Sequence, residues 1–358
     1  MTRLDFAIID PHIHQWDPYH TPHSAALLVK ALGKYPRVMD RVVRLVKPKP
    51  LLDSLGLTEY ALRPYLPEHY QVDSSPFSVE SVVHVEANWH HHKGLGVVEE
   101  TDWIQQLDFK AQGLKLGAIV ATADPRDRKF KDILKAHQQA SPRFRGIRKM
   151  AAWHQDKGVY RWCDQPHLYQ NKKFLTGFEQ LAKLDLSFDA WGYSTQLNEI
   201  TALARQFPET RIVVDHLATP VGLFGAVGKK TGMTQSQRDA IFKQWQQDLA
   251  RLAEQKNVHA KISGLMMPVL GHRFYQQDRT ASVSEMVRLL TPMIQHAIAV
   301  FGTERIMFAS NFPMDKPNAR LNELIHAYIQ MLSPYGDQAL HTIFRQNAAN
   351  FYQLQIES

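Results

Sequence analysis

Short runs of apolar and β-branched residues, too short for helices, alternate along this chain with longer stretches whose apolar positions recur every three to four residues. Eight such runs predict strands at about 6–10, 81–86, 116–121, 146–150, 186–189, 211–215, 258–263 and 305–310. Helical periodicity fills the gaps at about 97–108, 129–139, 174–184, 196–207, 235–255, 282–300 and 321–331, and a last helix is expected at 337–351. Strict alternation of buried strands with helices implies parallel βαβ units, and eight of them fit an α/β chain closed into a (β/α)8 TIM barrel. A doubly wound open sheet is the alternative.

The rhythm breaks once. Residues 16–78 are far longer than a normal βα loop and carry eight prolines, so they read as an insertion after the first strand. Inside it, bases at 30, 34, 37, 41 and 44 form a helical stripe opposite Leu27, Leu28, Val38, Val42 and Leu45, interrupted near Gly33 and Pro36. The organisation expected is one domain over 1–358, with a helical subdomain above the barrel mouth.

Composition narrows the picture. With 44% hydrophobic and 22% charged residues the chain is ordinary for a globular protein, and no apolar run approaches a bilayer span. The first residues, MTRLDFAIIDPHIH, lack the apolar stretch of a signal peptide, so a cytoplasmic protein without a membrane partner is expected. Cys163 is the single cysteine, which leaves nitrogen and oxygen as the ligands of any metal. The formal charge is +7, but residues 30–49 hold seven bases against Asp40 alone and so account for +6 of it. That local excess is no general nucleic-acid surface, although it could form an anion-attracting rim or a subunit contact.

Chemistry gathers at the predicted strand ends, where barrel enzymes keep their active sites. Asp10-Pro-His12-Ile-His14 closes the first strand, and alternation turns His12 and His14 the same way, so both could ligate one ion. The HxH pattern alone says little in a chain with 18 histidines, and His90/His92 repeats it in a loop. In His84-Val-Glu86 alternation places Glu86 with His84, and an inward carboxylate needs a cation, a metal or hydrogen-bond donors. His216 follows Val213-Val-Asp215 and could complete a site of three histidines, or of two histidines and a carboxylate, of the kind that holds catalytic zinc, while Asp215 suits a helix cap. Arg148, with Trp153 and His154 beyond it, is suited to a substrate carboxylate or oxyanion against an aromatic wall. Asp189 and Lys261 are charges among strand residues that could satisfy each other. Asn311 and Asp315 follow the eighth strand. GxSxG, Walker and strand-linked GxGxxG motifs are missing, so metal-type or acid-base chemistry remains.

Taken in order, Asp10-Pro-His-Ile-His-Gln-Trp-Asp17, His84-Val-Glu-Ala87, Phe144-Arg-Gly-Ile-Arg148, Leu186-Ser-Phe-Asp-Ala-Trp191, Val213-Val-Asp-His-Leu217, Lys261-Ile-Ser-Gly-Leu265 and Phe308-Ala-Ser-Asn-Phe-Pro313 resemble the amidohydrolase-2 branch of the amidohydrolase superfamily. These are TIM-barrel metal-dependent hydrolases that include sugar lactonases and the pyrone-dicarboxylate lactonase. The resemblance implies a pocket around His12, His14 and His216, with Glu86 completing or orienting a site for one divalent ion, zinc first and manganese second, or for none. It implies an acid after the eighth strand as base, yet Asn311 stands where the family's aspartate precedes Phe/Trp-Pro, which leaves Asp315 as the nearby acid. Ser194-Thr-Gln196 likewise replaces the family's His-Pro-Gln.

The expectation is a hydrolase that opens a small lactone or related ester, its substrate carboxylated or sugar-derived. Asp315 is the leading base, Asn311 orients water, Arg148 and His154 bind the carboxylate or oxyanion, and Trp153, Asp189 and Trp191 line the substrate site. Non-oxidative decarboxylation, known in the same branch, is the second enzymatic reading. A catalytically degenerate barrel that binds a partner is the third, and self-association is left open.

Overall fold

The structure, a computed structural model, describes residues 4–22, 29 and 31–355. Eight strands run parallel, each beside the next in sequence: β1 (Ile8–Ile13), β2 (Val79–Val85), β3 (Lys115–Thr122), β4 (Phe144–Met150), β5 (Ser187–Trp191), β6 (Ile212–Val214), β7 (Val258–Ile262) and β8 (Ile306–Phe308). The sheet comes round on itself beyond β8, where Asn311 N–H donates to His12 O at 2.8 Å and His14 N–H to Phe312 O at 2.9 Å. The (β/α)8 barrel is therefore the fold, and the open doubly wound sheet is excluded.

Alternation along the strands sorts side chains into two layers. Ile9, Val83, Ala118, Val120, Val213 and Met307 fill the barrel interior, and Phe351 and Tyr352 close its lower end. Ile8, Val82, Ile119, Ile147, Phe188 and Ile212 face the helical ring instead. Fully burying each such side chain stabilises the fold by about 1.5–3 kcal/mol.

Between β1 and β2 the described residues include the short helices α1 (Pro36–Val46), α2 (Lys49–Leu55), α3 (Thr58–Ala61) and α4 (Pro67–Ser74). The ring comprises α5 (Val98–Gln106), α6 (Phe130–Ala140), α7 (Lys172–Lys183), α8 (Leu197–Gln206), α9 (Gln235–Ala253), α10 (Val283–Phe301) and α11 (Leu321–Leu332), followed by α12 (Asp337–His341) and α13 (Asn347–Phe351). The helix expected over 337–351 is present as one continuous helical stretch, widened to a π-helical turn at Thr342–Gln346 between α12 and α13. Among the described residues no helix is long and apolar enough to cross a membrane.

The stripe expected in the insertion is displaced by one position. Met39 and Val43 of α1 are buried with Val29, Leu52 and Leu62, whereas Val38 is 47% and Leu45 85% exposed. Leu27, Leu28 and Lys30 lie outside the described residues, as do the side chains of Arg37 and Asp40.

Two core histidines make the fold acid-sensitive. His137 accepts from Thr101 Oγ1 at Nδ1 (2.8 Å) and donates from Nε2 to Thr122 O (3.2 Å), while His272 Nε2–H donates to Leu265 O at 2.8 Å. Burial pushes both down to about 4. The unfolded chain binds these protons near pH 6.5 and the native fold does not, so stability falls as pH drops from 6.5 towards 4. At pH 4.5 each is expected to remove about 2.5 kcal/mol. Denaturant midpoints compared at pH 7 and pH 4.5 check this, and equal midpoints would refute it.

Candidate active site

Above the apolar interior the barrel turns polar. Lys261, from β7, directs its ammonium at Asp189 Oδ2 of β5 (2.5 Å), at Asp215 Oδ1 just past β6 (3.1 Å) and at His12 Nδ1 of β1 (3.1 Å). All four side chains are completely buried. Tyr352 O–H also donates to Asp189 Oδ2, at 2.8 Å. Two carboxylates share one ammonium, which leaves a net negative charge in a low-dielectric layer, and such a layer favours a further cation or a proton. Burial pushes Asp189 up to about 6, against the pull of Lys261. The pairing of Asp189 with Lys261 that the sequence suggested is present, with Asp215 as its third member. Asp215 makes no cap bond; its carboxylate faces Lys261 and, at 3.3 Å, His12 Nδ1.

Asp10 fixes the HxH segment. Its Oδ1 accepts from the backbone N–H groups of His12 and Ser310, and its Oδ2 accepts from Tyr70 O–H of α4 at 2.8 Å. One buried carboxylate thereby ties β1, the chain beyond β8 and the insertion together.

His216 is presented by an unusual turn. Residues 216–219 are four consecutive non-glycine residues with φ of 56°, 48°, 56° and 36°. Each left-handed residue costs about 1–2 kcal/mol and persists only where its surroundings over-determine it. Here Thr219 N–H donates to His216 O at 2.9 Å, Trp191 Nε1–H to Thr219 Oγ1 at 3.0 Å, and Trp245 Nε1–H of α9 to Leu217 O at 2.8 Å. Gly264 passes so close that a Cβ there would lie 2.5 Å from the His216 ring, and Ser263 Oγ sits 2.8 Å from His216 Nδ1.

His12, His14 and His216 pack as one cluster, with ring centroids 4.9 Å apart for His12 and His14 and 4.6 Å apart for His12 and His216. Burial holds all three unprotonated: His14 falls to about 3, and His12 and His216 well below the usual imidazole range. Neutral imidazoles offer the lone pairs a metal requires. The ligand atoms of His12, Asp215 and His216 lie within 4.8 Å of one another, a nitrogen and oxygen set suited to one divalent ion.

The other two expected ligands are engaged elsewhere. His14 Nδ1–H donates to Val85 O at 2.8 Å, which leaves Nε2 3.3 Å from Asn311 Oδ1. Glu86 is gripped by Arg148 of β4, whose Nε lies 2.9 Å and Nη2 2.8 Å from Oε1, while Nη2–H also donates to Glu86 O. The free edge of the guanidinium, Nη1, stands 3.4 Å from His12 Nε2. Glu86 does not follow the alternation expected of it: β2 ends at Val85, which packs inside the barrel, and His84 turns outward to Glu100 of α5 at 3.4 Å. Glu86 enters from the first loop position instead.

These groups form the floor of a cavity of about 490 Å3 lined by His14, Glu86, Arg148, Trp191, His216 and Asn311, with α1 and α2 forming its far wall. Asp315 is fully buried behind Asn311 and is not part of the lining. Burial raises its carboxyl well above the usual range, against nearby donors on Asn311, Met266 and Gly264, none of which reaches full hydrogen-bond geometry. Trp153 and His154 lie on a separate depression beside Gln196 and Lys230, where Arg161 stacks on Trp153 at 4.1 Å and His154 Nδ1 accepts from Asp156 N–H. Asp215 thus faces Lys261 and His12 instead of capping a helix, and Tyr352, Ser263 and Trp245 join the site without having been expected there. For Asp215 a signal existed, an acid beside a histidine at a strand end; for the others the sequence carries none.

The family model described as Amidohydrolase matches residues 9–354. An uncharacterized protein of Sinorhizobium fredii, y4mH, is 31% identical over 350 residues, which cover 98% of this chain and 99% of that protein. An L-fucono-1,5-lactonase of Burkholderia ambifaria is 26% identical over 267 residues, 73% of this chain and 78% of its own. Among solved structures, an amidohydrolase from Burkholderia multivorans with bound zinc superposes with a TM-score of 0.71 at 18% identity, covering 98% of this chain and all of that one. A putative 2-pyrone-4,6-dicarboxylic acid hydrolase from Pseudomonas putida gives 0.59 at 14% identity, covering 99% and 100%.

Proposed function

Because the chain belongs to the amidohydrolase family, we propose that it opens a small lactone or related ester by adding an activated water. The observation that carries the reading is the floor of the cavity, where unprotonated His14 and His216 stand beside an Arg148 guanidinium already anchored on Glu86. The lactonase from Burkholderia ambifaria supports a lactone substrate, and the amidohydrolase from Burkholderia multivorans with bound zinc supports a bound metal. His12, Asp215 and His216 would hold that divalent ion, zinc or else manganese, which supplies Lewis-acid polarisation when bound.

The protein's own groups account for the rest. With Nδ1 committed to Val85 O, His14 keeps its lone pair on Nε2, beside Asn311 at the cavity floor, and there accepts the proton of the attacking water. The water oxygen joins the ring carbonyl carbon, and charge develops on the carbonyl oxygen against Arg148. The carbon–oxygen ring bond then breaks, and the departing oxygen takes the proton back, giving the hydroxy acid. Asn311 orients the water through its amide.

Asp315 does not serve as the base in this scheme, since its carboxyl is fully buried behind Asn311 and does not line the cavity where the water would sit. Asp315→Asn is expected to hold kcat/KM within about threefold of wild type, whereas a loss beyond about a hundredfold would return the base role to it. The reading itself is tested by incubating the metal-replete protein with simple lactones and with lactones that also carry a free carboxylate, following acid and CO2 release. Ring-opened acid supports it; release of CO2 without ring opening would transfer the site to the decarboxylase alternative.

A further inference from the structure

We propose that the substrate is amphiphilic, with a compact lactone or ester head on the histidine and arginine floor and an apolar chain running against the helical insertion. This rests on the hydrolase reading for its head group only.

Polarity divides the cavity along its depth. At the barrel end stand His14, Glu86, Asn88, Arg148, His216 and Asn311. At the insertion end the wall is carbon: Val42, Val43 and Val46 of α1, Leu51, Leu52 and Leu55 of α2. Trp16, Met267 and Val269 continue that surface from the barrel side, and among the described residues of the insertion Lys47, Ser54 and Thr58 are its polar contributions. Of the polar floor groups, Glu86 Oε1 is taken by Nε and Nη2 of Arg148, and His14 has one ring nitrogen on Val85 O. A ring carrying several hydroxyls would therefore place some of them against carbon, and each buried hydroxyl left without a partner lowers affinity by about tenfold.

An apolar chain meets the opposite balance. Each methylene moved from water onto this wall strengthens binding about fourfold, equivalent to about 0.8 kcal/mol. The apolar surface also continues outward. Val46 belongs to the lining and is 66% exposed, and Leu45 beside it is 85% exposed, so a hydrocarbon chain has a path of carbon from solvent to the interior. At about 490 Å3 the cavity falls within the range of pockets that enclose small organic ligands.

The test is a series of γ-lactones whose ring substituent lengthens from methyl to octyl, set against a hydroxylated sugar lactone. We expect kcat/KM to climb about fourfold per added methylene over at least four of them, and the sugar lactone to fall below the butyl compound. Leu55→Gln should flatten that climb, and so should Val46→Gln, whose exposed position spares the fold. A rate independent of chain length, or a preference for the sugar lactone, would overturn the proposal while leaving the hydrolase reading intact. If no lactone or ester is turned over, that reading fails, and titration with unreactive 2-alkylcyclopentanones still decides this one. Affinity that rises with chain length and weakens in Leu55→Gln upholds the chain site; affinity indifferent to length removes it.

Discussion

Lys261→Met is expected to destabilise the protein by about 3–5 kcal/mol, the cost of breaking a buried ion pair from one side. Methionine fills much of the same volume but leaves Asp189 and Asp215 buried without the ammonium that now lies 2.5 and 3.1 Å from them. One of the two must then hold a proton at neutral pH. Burial already raises Asp189 above the unfolded-chain value and losing the ammonium raises it further, so the deficit is small near pH 4 and grows as pH rises towards that raised value. Adding Asp189→Asn should restore about half of the loss, because a single carboxylate then remains. Chemical denaturation of both variants at pH 5 and pH 8 reads the effect, and a loss under about 1 kcal/mol for Lys261→Met would mean that the ammonium does not neutralise this layer.

The barrel was legible because its evidence in the sequence is local. Runs such as Arg211-Ile-Val-Val214 can be buried only as strands, and Ser282 with Glu285 marks the start of α10 through the capping box now seen there. His14, Arg148 and His216, which do line the cavity, were legible because each lies at or just past the end of a strand. What failed depended on where a strand stops or which way a helix rolls. Glu86 lies one residue past β2, beyond the reach of alternation. The roll of α1 is set by Leu52 and Leu62, far enough along the chain that its own periodicity could not choose between Val38 and Met39. Asp315 follows a stretch in which Asn311 is left-handed (φ 58°), and nothing in the residue order signals that the turn buries its carboxyl.

The second large effect concerns turnover. Arg148→Lys is expected to lower kcat/KM by about 10²–10³, the usual consequence of losing a preorganised donor to a developing oxyanion. Lysine keeps the charge but cannot hold Glu86 at two nitrogens while directing a third group at the floor, as Nε, Nη2 and Nη1 do. The loss should fall on kcat more than on KM. Steady-state kinetics on the best lactone decides it: a variant within about fivefold of wild type would reduce Arg148 to a brace for Glu86.

The left-handed turn at 216–219 joins two parts of the molecule that are otherwise separate. Its carbonyl at Leu217 is held by Trp245, which belongs to α9 in the outer ring, and its hydroxyl at Thr219 by Trp191, which lines the cavity. His216 therefore has its bearing set from both sides of the barrel wall. The helix that looks like packing is part of the tooling of the site, and a sequence that reseats α9 by a fraction of an ångström re-aims the imidazole through Trp245 and the Leu217 carbonyl. Selectivity in this barrel can accordingly drift through its scaffold, with every residue at the floor unchanged.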